Sequence, residues 1–265
     1  MTASTLFSLS AIIAILPSAL LPLRRDHGRD VLFWLLLAVA VMGPLAWVLV
    51  SFGGVWRTDL SMTLWVTVAA TMTLFAATAA VARESWRLTP LVSLYMAALA
   101  IVATVWGHAP MKTLGAPPGG WVVVHIVVAV ATYALVTVAA VSALAAFLQD
   151  RALKLKRPTA MTRVLPSVAD CEDLLVRLLV LGEIVLAIGL MTGMAVQMRE
   201  TGHLLQFDHK TVLTVAAFAV IGGLLIAHFK TGLRGRMAAR IVLLGYLLLT
   251  LGYPGVKFVT DVMMR

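Results

Sequence analysis

Long apolar runs separated by short polar connections form the pattern of this chain. Each run has roughly the 20 residues that a helix needs to cross ~30 Å of hydrocarbon. Inside lipid the backbone must satisfy its own hydrogen bonds, so the runs predict helices rather than isolated strands. Pro254 predicts a kink or an outer bend in the last run. The predicted spans cover about residues 5–23, 31–50, 61–81, 90–106, 121–148, 174–198, 210–229 and 240–260.

These runs predict an all-α fold, a polytopic transmembrane helical bundle of about eight spans. Only 12% of the residues are charged, whereas a soluble globular protein carries roughly 25%, so composition supports the same class. We expect an N-terminal four-helix membrane segment over residues 1–119 and a C-terminal four-helix membrane core over residues 120–265. The longest connection, residues 149–173, is basic, and we expect it either to lie on anionic headgroups or to dock a partner.

Lysine and arginine are distributed unevenly between the connections. Fourteen fall in connections 1–2, 3–4, 5–6 and 7–8 or their flanks, against four in the others. The positive-inside rule therefore predicts that these four connections are cytoplasmic and that both termini lie outside. The net charge of +9 and the pI near 10.3 would also suit nucleic acid. Charges in short clusters between apolar runs instead favour the lipid bilayer as partner, and no nucleic acid. The fourteen are Arg24, Arg25, Arg29, Arg83, Arg87, Arg151, Lys154, Lys156, Arg157, Arg163, Lys230, Arg234, Arg236 and Arg240.

Familiar catalytic motifs are absent from the sequence. It contains no P-loop, Rossmann fingerprint, H-E-x-x-H or nucleophile elbow, so nothing supports ATP hydrolysis or proteolysis. A single cysteine, Cys171, allows no internal disulfide. We therefore expect that this protein is not an enzyme and that its polar residues serve to bind a ligand.

Two histidines stand at similar depths near the predicted outer ends of two spans. His125 lies four residues after Trp121, about 6 Å along the helix axis, and His209 opens the seventh span. Imidazole is a common metal ligand, and haem iron takes axial histidine. His125 and His209 therefore predict a bis-histidine site for the iron of a non-covalent, b-type haem, since C-x-x-C-H is missing. The alternative is that each is an interfacial polar residue without a ligand.

Other polar residues near the same predicted end are secondary candidates. His108 and His203 lie in the outer connections 4–5 and 6–7, and they would form a second pair or shield the first. Asp208 either caps the seventh span or orients an imidazole through a hydrogen bond. Lys210 has the simpler interpretation of a cation whose side chain reaches outward to the interface.

Glu183 is the one acid deep in a predicted span. It lies about 14 Å along the axis from Leu174, near the midplane. A charge there costs on the order of 3 kcal/mol on insertion scales, so such residues are buried, protonated or functional. Glu183 thus supports an alternative function, a transporter or channel with this carboxyl in its path. His228 lies nearer the predicted inner face and does not match Glu183 in depth.

Two segments resemble the core of a known family. The fifth span, "HIVVAVATYALVTVAAVSALAAFLQDRALK", opens with a His followed by a small residue–Tyr–Ala stretch. It resembles the helix that opens the core of cytochrome c assembly proteins. The segment "DHKTVLTVAAFAVIGGLLIAHFKTGLRGRMAARIVLLGYLLLTLGYPGVKFV" resembles that family's last helix pair, through D-x-K-T, G-x-R-G-R-x-A-A and Y-x-G-V. The resemblance covers about residues 120–260 and is nearest to the eight-span HemX/YpjD-like branch.

The resemblance implies a protein of the bacterial inner (cytoplasmic) membrane that binds or handles haem near the outer face in support of cytochrome c assembly. Haem and other cytochrome c assembly proteins are the implied partners. His125 matches the family's first outer His, and His228 matches a His near the inner end of its helix. The chain departs from the family because "ETGHLLQF" replaces a tryptophan-rich segment, no second outer His stands near Lys257, and His209 replaces the Pro of D-P-K. The alternative is a membrane regulator or scaffold of haem biosynthesis or cytochrome assembly that binds no haem, with the surface at 150–166.

Overall fold

A computed structural model describes residues 3–24, 28–53, 56–108, 118–202 and 208–259. The regular elements in these ranges are helices, which confirms the all-α prediction. Short 3₁₀ helices, Ser85–Leu88 and Trp106–His108, flank the fourth α-helix, and a π-helix, Leu251–Gly255, joins the last two. The α-helices are α1 (Ala3–Arg24), α2 (Val31–Phe52), α3 (Leu60–Val81), α4 (Thr89–Val105), α5 (Gly120–Leu155), α6 (Ala160–Val164), α7 (Val168–Thr201), α8 (His209–Thr231), α9 (Gly235–Thr250) and α10 (Val256–Phe258).

Eight apolar helices correspond to the predicted spans. In the described ranges, seven helical units are long and apolar enough to cross a membrane, and α1 is a shorter apolar helix over Thr5–Leu20. The seven are α2, α3, α4 with its preceding 3₁₀ turn, α5, α7, α8 and the continuous unit from α9 to α10. The chain is therefore a polytopic helical membrane protein of about eight spans, as its apolar runs predict.

The fifth and sixth spans are longer than their apolar runs. Helix α5 has 36 residues and α7 has 34, so they are about 54 and 51 Å long at 1.5 Å per residue. Both lengths exceed the ~30 Å hydrocarbon core. The predicted loop over residues 149–173 is therefore mostly helical, because it contains the end of α5, all of α6 and the start of α7.

Capping side chains explain where several helices begin. Asp30, Asp59, Ser167 and Asp208 each accept a hydrogen bond from the backbone N–H three residues later, at 2.8, 3.1, 3.2 and 2.7 Å respectively. Such a bond satisfies one of the N–H groups that the first turn of a helix leaves without a partner. The cap at Asp208 fixes the residue at which α8 starts, and with it the part of the fold that holds the candidate site.

The helices associate mainly with neighbours from their own half of the chain. Helices α1 and α3 each pack against α2 and α4, while α5 and α8 each pack against α7 and α9. The two groups meet chiefly where α3 contacts α5. Trp47 on α2 and Trp65 on α3 stack with ring centroids 4.7 Å apart inside the first group. The division into residues 1–119 and 120–265 remains a prediction.

The four basic connections lie at one end of the bundle. Arg29 donates to the carbonyl of Ala82 at 2.8 Å, which joins connections 1–2 and 3–4. Arg87 donates to the carbonyl of Val164 at 2.8 Å, which joins 3–4 and 5–6. The backbone N–H of Gly235, in connection 7–8, lies 2.9 Å from a carboxylate oxygen of Glu172. These contacts group the basic connections as the positive-inside pattern requires, while the choice of membrane face stays a prediction.

At the opposite end, the last span is tied to the start of α3. The Nζ of Lys257 donates to Thr63 Oγ1 at 2.9 Å and to the carbonyl of Thr58. Pro254 lies within the π-helix Leu251–Gly255. The predicted irregularity at Pro254 is therefore a π-helical segment, a feature often found at functional sites.

Candidate functional site

A cavity of about 380 Å³ lies between α5, α7, α8 and the last span. This four-helix cavity falls within the range of roughly 300–1,000 Å³ typical of small-molecule sites. Thr201, Asp208 and Lys210 are exposed and mark its mouth, whereas Tyr133 and Leu186 are buried at its floor. The other lining residues are His125, Ile126, Ala129, Thr132, Gly189, Leu190, Gly193, Met194, Val196, Gln197, Thr211, Thr214, Leu249, Gly252 and Tyr253.

His125 enters the cavity from α5 and rests against α7. A Cβ added at Gly193 would stand 3.0 Å from the imidazole Cε1, 3.5 Å from Nδ1 and 3.7 Å from Nε2. Only a residue without a side chain leaves the ring this much room. Gly189 and Gly193 form a G-x-x-x-G pattern, which lets helices approach closely. In this protein the pattern also makes room for the His125 ring.

The tautomer of His125 follows from its hydrogen bonds. Its Nδ1 lies 3.2 Å from Thr192 Oγ1. That hydroxyl donates its hydrogen to the carbonyls of Ile188 and Gly189, at 3.0 and 3.1 Å. Since a hydroxyl has one hydrogen, a Thr192 that donates to either carbonyl accepts from His125, and these contacts therefore favour the tautomer with the proton on Nδ1. In that tautomer Nε2 keeps its lone pair, which is the arrangement of a metal-binding imidazole held by its other nitrogen.

His209 does not line the cavity. It is the exposed first residue of α8, whereas the residues on either side of it, Asp208 and Lys210, do line the cavity. The structure therefore brings His125, Asp208 and Lys210 to one cavity and leaves His209 beside its mouth. The pairing of His125 with His209 on one iron remains a prediction.

Asp208 acts as the N-cap of α8. Its Oδ1 accepts from the N–H of Thr211 at 2.7 Å, as one of the two sequence interpretations expects. Desolvation by burial would raise the pKa of Asp208, but hydrogen bonds from Thr211 and the charges of Lys210 and His209 outweigh it and hold the pKa below its ordinary value. Asp208 is therefore a carboxylate at neutral pH. Its negative charge interacts favourably with the positive, N-terminal end of the α8 helix dipole.

All four tyrosines of the chain meet beneath the cavity. The rings of Tyr133 and Tyr246 are 5.6 Å apart, those of Tyr95 and Tyr246 are 6.3 Å apart, and those of Tyr133 and Tyr253 are 6.4 Å apart. The hydroxyl of Tyr133 lies 3.1 Å from those of Tyr246 and Thr250, and the hydroxyls of Tyr95 and Tyr246 also bond each other. Three helices are joined by these contacts, which give the cavity a fixed polar floor. Sequence reasoning missed this cluster.

Three further histidines are predicted as secondary site residues. The Nδ1 of His228 lies 2.9 Å from the carbonyl of Leu233 just past the end of α8, about 28 Å along the helix from His209. His108 ends the 3₁₀ helix after α4, but its side chain is outside the described part of the structure. His203 lies outside the described residues. Of these three histidines the structure places only the side chain of His228, which lies outside the cavity lining, and the predicted roles of all three remain predictions.

Glu183 lies one helical turn below the cavity floor, three residues before Leu186 on α7. Its Oε1 is 2.8 Å from the point where a Cβ on Gly222 of α8 would stand. Its Oε2 is buried and has no hydrogen-bond partner among the described residues. An unpartnered carboxyl oxygen inside a membrane span favours the protonated form. The role of Glu183 stays a prediction.

Known proteins resemble this chain over the whole or part of its length. An "uncharacterized 28.8 kDa protein in nifR3-like 5'region" of Azospirillum brasilense is 52% identical over 270 residues, covering 100% of both chains. The "inner membrane protein YpjD" of Escherichia coli K12 is 30% identical over 176 residues, covering 66% of this chain and 65% of its own length.

The family comparison extends further than the two segments that resemble the family core. The model of the family described as "Cytochrome C assembly protein" matches residues 55–264. This match includes α3 and α4 as well as the four helices around the cavity. It covers well over half of the chain, which therefore belongs to the cytochrome c assembly protein family.

Proposed function

We propose that this protein binds haem b non-covalently in the four-helix cavity and handles it near the outer membrane face in support of cytochrome c assembly. The observation that carries the proposal is the state of His125. Its Nδ1 contacts Thr192 Oγ1, so Nε2 is the ring nitrogen left for a ligand, and His125 lines a cavity with largely apolar walls. A bound haem would supply an iron that takes an axial imidazole.

The residues of the cavity suit such a ligand. Ile126, Leu190 and Leu249 present apolar surface that would cover a flat hydrophobic ring system. Among the described residues no group of three metal-binding side chains exists, so a site built wholly from protein ligands has no support there. A haem iron needs only one or two axial residues, and His125 supplies one. His209 remains the predicted second.

The cellular setting is part of the proposal. YpjD of Escherichia coli is described as an inner membrane protein, and the basic connections grouped at one end of the bundle favour the same membrane, with both termini outside. We expect no covalent catalysis by the chain itself, and we expect other cytochrome c assembly proteins to be its partners. The orientation can be tested by cysteine labelling. Gly119→Cys should react with a reagent added outside the cell, whereas Arg157→Cys should react only after lysis. The reverse pattern would contradict this orientation.

The direct test is the optical spectrum of the purified protein. After expression with ample haem, the unaltered chain should show a Soret band in oxidised and reduced forms. His125→Ala should lose most of that band. The control is His228→Ala, which also removes an imidazole but lies at the end of α8 that is far from the cavity mouth, and this variant should keep the band. A colourless protein, or a band that His125→Ala leaves unchanged in position and strength, would overturn the proposal. His209→Ala tests the second ligand separately.

A regulator or scaffold that binds no haem is the second candidate, favoured by the ordered structure of the basic connection between α5 and α7. The side-chain Nε2 of Gln149 lies within hydrogen-bond distance of three carbonyl oxygens of this connection, at 2.9, 3.0 and 3.0 Å. The basic residues Lys156 and Arg157 remain exposed there. Crosslinking from Arg157→Cys to a cytoplasmic protein, together with a silent His125→Ala, would favour this function.

A further inference from the structure

Lys210 is a cation at the mouth of the four-helix cavity. It lies in the first turn of α8, is exposed, and lines the cavity. Within the described part of the chain it takes part in no ion pair. Its position is fixed through the backbone, because Thr214 Oγ1 donates to the carbonyl of Lys210 at 2.8 Å.

The neighbouring charged groups have other contacts. The carboxylate of Asp208 accepts the N–H of Thr211 as the cap of α8, and it makes no ion pair with Lys210 in the described structure. The guanidinium of Arg199 lies 5.7 Å from the ring centroid of Trp121, so it is engaged in a cation–π contact. Lys210 is therefore the lining residue best placed to meet an anion.

The interior of the same cavity has the opposite chemistry. Below the mouth its walls carry Ile126, Leu186, Leu190 and Leu249, which offer apolar contact and no charge. A ligand that fills the cavity must then combine an apolar body with a negatively charged end that reaches the mouth. A carboxylate meets a lysine ammonium through a charge-assisted hydrogen bond.

We infer that Lys210 binds the carboxylate end of an amphipathic ligand whose apolar body lies in the four-helix cavity. The inference rests on the proposed function, in which that ligand is haem and the carboxylates are its propionates. Lys210 then determines the orientation and specificity of binding, while His125 holds the iron. Ligands with a similar apolar body but without the negative charge should bind more weakly, because they cannot contact Lys210 through a carboxylate.

The test compares haem b with its dimethyl ester, in which both propionates are neutral, as ligands of the full chain in detergent. The unaltered protein should bind haem about fivefold more tightly than the ester, as expected for a solvent-accessible charge pair. Lys210→Ala should remove this preference by weakening haem binding alone, and Lys210→Arg should keep it. Lys230→Ala, a matched cation at the far end of α8, should leave both affinities unchanged. Unchanged ester binding by Lys210→Ala also shows that the variant is folded.

Two results would overturn the inference in distinguishable ways. If Lys210→Ala keeps the preference for haem, or weakens haem and ester equally, Lys210 does not bind the carboxylate, although the proposed function stands. If the unaltered chain binds neither haem nor ester, the proposed function fails and the inference fails with it.

Discussion

His125 on α5 and Gly193 on α7 lie so close that a Cβ on Gly193 would stand 3.0 Å from the imidazole Cε1. This contact and the bond to Thr192 fix one face and one nitrogen of the ring. A helix–helix contact of the kind that small residues give in membranes therefore also positions the His125 ring.

Gly193→Ala should displace the His125 ring and weaken haem binding. A separation of 3.0 Å is shorter than about nine in ten real Cβ contacts, so either the ring or α7 has to shift by a few tenths of an ångström. We expect haem affinity, measured by Soret titration, to fall several-fold. Gly223→Ala is the control, because a Cβ there would meet nothing within 4 Å. Equal affinities in the two variants would contradict the role given to Gly193.

Thr192→Val should weaken haem binding while leaving His125 in place. Valine has nearly the shape of threonine but cannot accept the Nδ1–H of His125. Loss of such an orienting partner typically costs about 10- to 100-fold in metal affinity. Thr192→Ser, which keeps the hydroxyl, should bind haem almost normally. If serine and valine variants behave alike in the titration, the hydroxyl does not hold the imidazole.

Gly222→Ala should destabilise the protein through Glu183. The added Cβ would stand 2.8 Å from Oε1 of Glu183, the far end of a flexible side chain, so the carboxyl has to move aside and we expect a cost near the low end of the roughly 1–3 kcal/mol of overpacking. In a Glu183→Ala background the same substitution should cost much less, because the clashing oxygen is gone. Thermal unfolding of the four proteins in detergent gives the coupling between the two sites. Additive changes in Tm would show that the two residues do not touch.

Asp208→Ala should destabilise α8 by about 1 kcal/mol through loss of its N-cap, whereas Asp208→Asn should retain most of that contribution. The folded pKa of Asp208 lies below its ordinary value of 3.8. Its charge therefore stabilises the folded state at neutral pH, and this stabilisation is lost as the pH falls below 3.8 through the folded pKa. Thermal unfolding should show a pH-dependent difference between the unaltered chain and Asp208→Asn that vanishes in acid. A constant difference would contradict the charge contribution.

The spans could be predicted because membrane helices are long and uniformly apolar. The residues at which the helices begin and end were less predictable. Helix α7 begins at Val168, before the charged residues Asp170, Glu172 and Asp173, where hydropathy gives no sign of a helix. Helix α5 likewise continues to Leu155 beyond its apolar run. At these helix ends the structure is determined by capping and tertiary contacts. The pattern of apolar and polar residues along the sequence does not reveal such contacts.

The candidate site was predictable only in part. His125 could be found from its residue type and depth, whereas the face of α8 that lines the cavity could not, because it depends on helix rotation. That face carries Lys210, Thr211 and Thr214, and His209 is turned about 100° from Lys210. The tyrosine cluster has no local signal at all, since its members come from helices far apart in sequence.

The measurement that tests the central claim most directly is an optical titration of the purified chain and of His125→Ala with haem b. The account predicts a saturable Soret band with the unaltered chain, and a band that is weaker, shifted and at least about tenfold lower in affinity with His125→Ala. The same band position and the same affinity in both proteins would contradict the claim that His125 holds the iron.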